Sequence, residues 1–206
     1  MNKLDLNQEE IRLIEHLNSP QKVQEFLLNE IEYDFNDDKD TNRSFRRVLR
    51  DKKAHCIEGV LFAAAVLMQH NYPPLMVSLE ARDIDHNIFI YNLNGKLGSV
   101  AISRDEFLRG RPAKFRDIKD LVMSYYPYYW NYWTNDNEDL TLRGYAKVDL
   151  RIFKQDWITA EEDLNFIEDY LWKMKYRRLF PRNKEDRFYT CDKNGKIKNI
   201  FKGFLS

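Results

Sequence analysis

The run IEGVLFAAAVLMQ, residues 57–69, constrains the fold of this chain more than any other feature. It predicts a helix whose apolar residues leave no polar stripe at helical spacing. A helix of this kind must be enclosed by other elements, and its three consecutive alanines permit their close approach. Asn71 and Pro73-Pro74 follow the run and predict its end. We therefore expect a buried central helix.

Helical patterns precede the central helix, and strand patterns follow it. Three segments between residues 8 and 53 carry apolar residues at helical spacing. After the helix, Leu75–Ala81 predicts a strand, and residues 86–103 predict two strands around the turn signal Asn94-Gly95. A central helix followed by such a meander is typical of the α+β class.

Further elements are predicted beyond the meander. Residues 141–153 are a strand candidate, and the capping box Thr159-Ala-Glu-Glu162 predicts the start of a helix. The aromatic cluster YYPYYWNYW, Tyr125 to Trp133, predicts either a buried contact with the sheet or the wall of a groove. With 206 residues the chain has the length of one domain. We expect this organisation: a single domain over 1–206, a core over about 42–150, N-terminal helices in 1–41, and a C-terminal helix and hairpin in 151–206.

Charge and composition argue against several classes of function. Lys plus Arg and Asp plus Glu both number 33, so no net charge attracts nucleic acid or an anionic membrane. The start of the chain lacks the apolar segment of a signal peptide, and the longest apolar stretch, Val60 to Met68, is too short to span a bilayer. We therefore expect a cytoplasmic protein with no nucleic-acid or membrane partner.

Cys56 lies directly before the apolar run, at the first turn of the predicted helix. Unpaired backbone N–H groups and the positive end of the helix dipole favour a thiolate there. The second cysteine, Cys191, lies in a strand pattern beside the turn signal Asn194-Gly195 and is interpreted as an ordinary hairpin residue. Two such cysteines give no disulfide framework. Cys56 is therefore the candidate nucleophile, and it needs a base within hydrogen-bond reach.

Among the four histidines, His86 has the best position for that base. His16 lies in an N-terminal helical segment, and His70 lies at the far end of the central helix, about 20 Å from Cys56 at roughly 1.5 Å per residue. His55 directly precedes Cys56, where neighbouring side chains diverge, and is interpreted as a cap or a surface group. His86 begins a predicted strand 30 residues after Cys56.

This arrangement resembles the core of the transglutaminase-like superfamily of papain-related cysteine enzymes, in particular its bacterial members. Cys56 begins a buried helix, a strand follows, and His86 begins the next strand, which continues as YNLNGKLG. The resemblance covers about residues 42–105 and extends more faintly to WITAEEDLNFIEDYL. It implies a papain-like fold in which the central helix packs on an antiparallel sheet. It also implies that Cys56 attacks an acyl carbon, His86 shuttles the proton, and an acid orients His86.

The predicted register tests where that acid lies. A two-residue turn at Asn94-Gly95 pairs Leu93 with Lys96, and counting back places His86 opposite Ser103. The family's aspartate is then expected near Ala101, where this sequence has no carboxylate.

Asp105 is the predicted third member of the site. It has the same parity as Ser103, which makes it a diagonal neighbour of His86, about 7 to 8 Å away between backbones. Ser103 itself is the alternative, as a weaker orienter. Asp85 and Asn87 point to the opposite face of the strand and are poor candidates.

Glu58 is the carboxylate nearest to Cys56 in the central helix. Close to the sulfur, its charge opposes thiolate formation. At the first turn of the helix it also complements the helix dipole. Both readings stay open from the sequence.

These residues predict acyl transfer or amide hydrolysis through a thioester, with Cys56, His86 and Asp105 as the catalytic residues and a protein, peptide or amide as the substrate. Water and amines resolve the same thioester, so hydrolase and transferase both stay open. No metal or organic cofactor is implied. The alternative, from a different class, is a catalytically inactive binding or scaffold protein of the same fold, with the aromatic cluster as its ligand surface.

Overall fold

The central helix forms where the apolar run predicts it. A computed structural model describes residues 5–35, 41–180, 188–191 and 197–200. Within these ranges the central helix, α4, extends over Cys56–Met68, and every residue from Ile57 to Leu67 is buried. The helices of the described ranges are α1 Gln8–His16, α2 Pro20–Asn29, α3 Phe45–Asp51, α4 Cys56–Met68, α5 Ile118–Met123 and α6 Asn165–Trp172.

The strands of the described ranges form one large sheet and three two-stranded pairs. Their bounds are β1 Glu32–Tyr33, β2 Lys53–Ala54, β3 Leu75–Ala81, β4 His86–Leu93, β5 Lys96–Val100, β6 Arg111–Phe115, β7 Trp130–Asn131, β8 Asp136–Leu140, β9 Leu142–Asp149, β10 Arg177–Arg178, β11 Phe188–Cys191 and β12 Ile197–Ile200. The large sheet has the order β10-β9-β3-β4-β5-β6 and is antiparallel throughout. Helices together with this sheet place the chain in the α+β class.

The hairpin between β4 and β5 has the predicted register. Asn94 and Gly95 both adopt left-handed conformations, with φ of 52° and 77°, as a tight two-residue hairpin turn requires. Leu93 pairs with Lys96, which confirms that part of the prediction. The ladder ends at Val100, because the Gln24 side chain bonds both the N–H and the carbonyl of Ala101, each at 2.9 Å. The predicted alignment of His86 with Ser103 therefore continues the register beyond the last paired residues.

The large sheet separates two apolar layers. On one face, Met76, Phe89 and Val100 pack with α4 and with buried residues of α2, α3 and α6. On the other face, Val77 and Ile88 pack with α5 and the residues that follow it. Since strand side chains alternate between faces, two neighbours on one strand reach different layers. At the start of β4, His86 and Asn87 therefore point to opposite faces of the sheet.

A glycine lets α4 approach the sheet closely. A Cβ atom added to Gly59 would overlap the side chain of Ile102, which follows β5. Both residues are buried. The spacing between the first turn of α4 and the end of the hairpin is therefore set at this contact.

The C-terminal part of the chain differs from its prediction at one point. The capping box at Thr159 was expected to open a helix, but α6 begins at Asn165. Thr159 instead bonds through its amide and its hydroxyl to the Asp156 carboxylate, so its side chain belongs to a turn that precedes the helix. The predicted hairpin around Cys191 is present as the antiparallel pair β11–β12. Its turn, Asn194-Gly195, lies outside the described residues.

None of the helices in the described ranges combines the length and the apolar character needed to cross a bilayer.

Candidate active site

Cys56 is the first residue of α4, and the segment before it directs the start of that helix. Lys52 ends α3 in a left-handed conformation, with φ of 55°. The next two residues form β2, which pairs in parallel with β1. His55 then takes the N-cap position in extended conformation. Cys56 is partly exposed, whereas the residues after it are buried, so its sulfur lies where the helix meets a cleft.

The cleft beside Cys56 has a volume of about 430 Å³. Five members of the predicted aromatic cluster line it, which realises the groove-wall alternative: Tyr128, Tyr129, Trp130, Tyr132 and Trp133. The Tyr129 hydroxyl donates to the carbonyl of Ile84 at 2.9 Å and fixes the wall to the segment before β4. The cleft therefore has an aromatic wall, and Cys56 is among its other lining residues.

His86, the first residue of β4, lies beside the sulfur of Cys56. Its ring and the sulfur line the same cleft, and the imidazole lowers the pKa of the thiol. His86 Nε2 lies 2.8 Å from the carbonyl oxygen of Leu108. Because a carbonyl oxygen only accepts, Nε2 carries the proton in the neutral ring, and Nδ1 is left for the sulfur. The ring is 4% exposed and stands edge-on to Tyr125, so its orientation is restricted.

The three predicted site residues are not all joined. Cys56 and His86 are in contact, as described above. The Asp105 carboxylate lines the same cleft but is bonded to Arg104, at 2.9 and 3.3 Å. Ser103, the alternative orienter, accepts the Asp105 amide through Oγ at 3.1 Å. The group that holds His86 Nε2 is a backbone carbonyl.

His55 forms a second imidazole contact with Cys56. Its Nε2 lies 2.7 Å from the Thr41 carbonyl oxygen and 3.5 Å from Glu58 Oε1. Its ring lines the cleft next to Cys56, and the interaction with that residue raises the pKa of the imidazole. Since Nε2 donates to the carbonyl, Nδ1 is again the nitrogen that faces the sulfur. The N-cap position agrees with the prediction, but the expected divergence of the two neighbouring side chains is wrong.

Glu58 belongs to a buried ion-pair network. Its side chain is fully buried, and its carboxylate accepts from the amide of His55 at 3.0 Å and from the amide of Arg43 at 2.6 Å. Arg43 Nη1 forms a salt bridge with Glu58 at 3.1 Å. Arg43 also pairs with Asp34 and Asp51, at 2.7 and 3.2 Å. Asp51 is also bonded to Arg50, at 3.0 Å, so the network extends to a second arginine.

Both sides of the Cys56–His55 contact have shifted pKa values. Burial alone raises the pKa of Cys56, but the hydrogen bonds from His55 and His86, together with their charges, outweigh it and lower the pKa to about 5. Burial alone lowers the pKa of His55, but the hydrogen bond to Cys56 and the Glu58 carboxylate raise it to about 9. Between those two values of pH, a thiolate faces an imidazolium.

Asn87 contacts the sulfur from the opposite face of β4. Its Nδ2 lies 3.6 Å from Cys56 Sγ, and its side chain is 3% exposed. Its Oδ1 is buried with no hydrogen-bond partner among the described residues. The parity of the strand places Asn87 away from His86, as predicted, yet that face is the one that packs on α4. Two consecutive residues of β4 therefore reach one sulfur.

The sequence did not predict that His55 and Asn87 are neighbours of the Cys56 sulfur. The dipeptide His55-Cys56 contained a usable signal, because an N-cap residue and the first helical residue lie on the same end of a helix. Asn87 had no signal of its own, since its contact depends on how deeply α4 packs against β4.

No group of three His, Cys, Asp or Glu side chains in the described ranges converges in a way that could hold a metal ion. No protein-family model matches this chain, and no curated protein matches it either. The site is therefore interpreted from its own geometry.

Proposed function

We propose that this chain is a cysteine enzyme that transfers an acyl group, or hydrolyses an amide, through a thioester at Cys56. One observation carries the proposal: the cysteine that begins the buried helix lines a cleft together with the His86 ring, which lowers the pKa of its thiol. A structural cysteine in an apolar core has a raised pKa and is inert, whereas burial is outweighed here.

The proposed reaction uses Cys56 and His86 in two steps. The thiolate attacks the acyl carbon, a carbon–sulfur bond forms, and the carbonyl electron pair moves to oxygen. The intermediate collapses and expels an amine, which takes the proton of the His86 imidazolium through Nδ1. Neutral His86 then accepts a proton from water or from a second amine as that nucleophile attacks the thioester, and the thiolate leaves.

Two kinds of donor support an oxyanion near Cys56. The first turn of α4 has amide groups without intrahelical acceptors, and they point toward the sulfur end of the helix. The Asn87 side-chain amide adds a donor 3.6 Å from Sγ. A negative oxygen formed next to the sulfur meets these groups without rearrangement of the helix.

The proposed family is the transglutaminase-like superfamily with its papain-like core. Support comes from the order of elements: a buried helix that begins with cysteine, then antiparallel strands, one of which begins with histidine. In this proposal the orienting acid is replaced by the Leu108 carbonyl, which fixes the ring of His86 but adds no full negative charge. Asp105 stays a prediction as the third member of the site.

The lining of the cleft favours a substrate with positive charge near the reacting amide. Arg104 is the one arginine or lysine among its described lining residues, whereas four carboxylates line it: Asp34, Asp83, Asp85 and Asp105. Asp34 is paired with Arg43 and Asp105 with Arg104, so Asp83 and Asp85 are the carboxylates that carry this preference. The Arg104 guanidinium lies 4.3 Å from the centre of the Tyr132 ring. A cation over an aromatic face is thus already accommodated there.

The charge preference is tested with thiol reagents of opposite charge. Cationic methanethiosulfonate reagents should modify Cys56 faster than anionic ones of the same size, and Asp83→Asn should reduce the ratio of the two rates.

The proposal is tested with a single-thiol parent, Cys191→Ser. The rate of Cys56 alkylation by iodoacetamide is measured against pH, and intact mass is recorded after incubation with nitrophenyl acetate. We expect the rate to rise with a midpoint near 5 rather than at the unperturbed thiol value of about 8.5. We also expect one acetyl group on the protein, lost with time and absent in Cys56→Ala.

The second candidate function is a binding protein without catalysis. It is favoured because no hydrogen bond or ion pair joins His86 to a carboxylate among the described residues, and because one wall of the cleft is aromatic. A folded parent whose Cys56 titrates like a free thiol and never gains an acetyl group would support that candidate. The same result would remove the enzyme proposal.

A further inference from the structure

Cys56 has two imidazole neighbours, and their surroundings differ in charge. Both rings place Nε2 on a backbone carbonyl oxygen, that of Thr41 for His55 and that of Leu108 for His86. In both rings Nδ1 is therefore left for the sulfur. The difference is a carboxylate: Glu58 Oε1 lies 3.5 Å from Nε2 of His55.

The charge around His55 favours its protonated form. Glu58 is fully buried and its Oε1 lies 3.5 Å from His55 Nε2, so a protonated ring forms a buried ion pair with this carboxylate. The titratable and charged groups that face or approach His55 come from α4, the segment before α3, the end of β1, β4 and the segment after β5. They are Cys56 and Glu58, Arg43, Tyr33 and Asp34, His86, and Arg104 with Asp105.

We propose that His55 is a positioning residue that keeps Cys56 as a thiolate by holding a fixed positive charge beside the sulfur, while His86 alone moves the proton. This inference rests on the proposed function of Cys56 and assigns separate tasks to the two rings. His55 exchanges no proton with substrate during turnover, because Thr41 and Glu58 hold its Nε2 proton and the thiolate holds its Nδ1 proton.

The division of tasks predicts different pH profiles for two matched variants. His55→Gln and His86→Gln are made in the single-thiol parent, and the ultraviolet absorbance of the thiolate is followed against pH. His55→Gln keeps an amide donor for the Thr41 carbonyl but has no charge. We expect its thiolate midpoint to move upward by roughly one to three pH units, as loss of an adjacent opposite charge does. We expect a smaller movement in His86→Gln.

A third variant separates charge from structure. His55→Lys restores a positive charge at the N-cap position without an imidazole. We expect its thiolate midpoint to return toward that of the parent, while circular dichroism and the unfolding midpoint show that all three variants are folded. A purely structural role of His55 predicts the same raised midpoint in the Gln and Lys variants, and that outcome would overturn the proposal.

The failure of this inference is distinguishable from that of the enzyme proposal. If the parent has a low midpoint and gains an acetyl group, but His55→Gln has the parent's profile, the positioning role is wrong and the enzyme proposal stands. If the parent itself titrates as an ordinary thiol, both proposals are overturned. If the midpoint responds to His55 but no acetyl group is ever gained, the charge assignment holds and catalysis does not.

Discussion

The two sides of Cys56 differ in how they are built. On the His55 side, charges lie in a buried network of short contacts, in which Glu58 and Arg43 hold each other and the backbone before α4. On the His86 side, contacts are neutral: the Leu108 carbonyl and the edge of Tyr125. A fixed charge is useful for stabilising a thiolate, whereas a proton carrier must change charge easily. The comparison teaches that two histidines beside one sulfur differ through the groups around them: a buried carboxylate near His55 and a backbone carbonyl at His86.

The strongest way to break the comparison is to remove the ring on the neutral side. With His86→Ala, release of the acetyl group from Cys56 should slow by about 100-fold to 10,000-fold, because general acid–base catalysis contributes factors of that size. The thiolate should persist, since His55 remains. Deacetylation is followed by intact mass, with thiolate absorbance as the control. Equal loss of both signals would contradict separate tasks.

Removing the buried charge on the other side should mainly lower stability. Glu58→Gln leaves Arg43 without its buried partner and weakens the bond to the His55 amide. Breaking a buried ion pair from one side costs about 3 kcal/mol or more in the free energy of unfolding. Urea unfolding measures this cost. Glu15→Gln, an exposed residue of α1, is the matched control and should leave the unfolding midpoint nearly unchanged.

The pH dependence of stability should report the thiolate directly. Cys56 has a lowered pKa of about 5 in the folded chain, so its contribution is present above the pKa of the unfolded thiol and is lost as pH falls through about 5. The raised pKa of His55, about 9, gives the opposite sign, with its contribution lost as pH rises through about 9. Acidification from pH 6.5, the ordinary His value, toward 5 should therefore lower the melting temperature more in the parent than in Cys56→Ala.

The smallest effect is expected at Asp105. Its carboxylate forms an ion pair with Arg104, and both side chains are slightly more than one-third exposed. Exposed ion pairs contribute at most about 1 kcal/mol, so Asp105→Asn should change the acetylation rate by less than about fivefold. A loss comparable with that of His86→Ala would instead identify Asp105 as the acid that orients the ring during catalysis.

Much of the fold could be predicted from local patterns. The apolar run fixed α4 because a helix without a polar side has nowhere to lie except inside, and Asn94-Gly95 fixed the register of β4 and β5 because that turn admits few alternatives. Register in turn predicted which face each β4 residue takes. The predicted start of a helix at Thr159 was wrong, because the amide of Thr159 donates to the Asp156 carboxylate in a turn and α6 begins only at Asn165.

The partners of the two histidines could not be predicted in the same way. Leu108 reaches His86 through a short 3-10 turn after β5, and a backbone carbonyl has no sequence signature. Arg43 and Glu58 are 15 positions apart, and their contact depends on how the segment before α3 folds back on α4. Such contacts are set by tertiary packing, which periodicity does not encode.

The absence of a side chain at Gly59 has a consequence for the chemistry one turn away. The helix contacts Ile102 through the backbone of Gly59, so the absence of a Cβ atom there sets how closely the start of α4, and with it the sulfur, approaches the hairpin. We expect Gly59→Ala to push the N-terminal end of α4 away from the hairpin, which would increase the distance of the thiol from both His86 and Asn87. In the proposed enzyme, the position of the thiol thus depends on a residue that has no side chain.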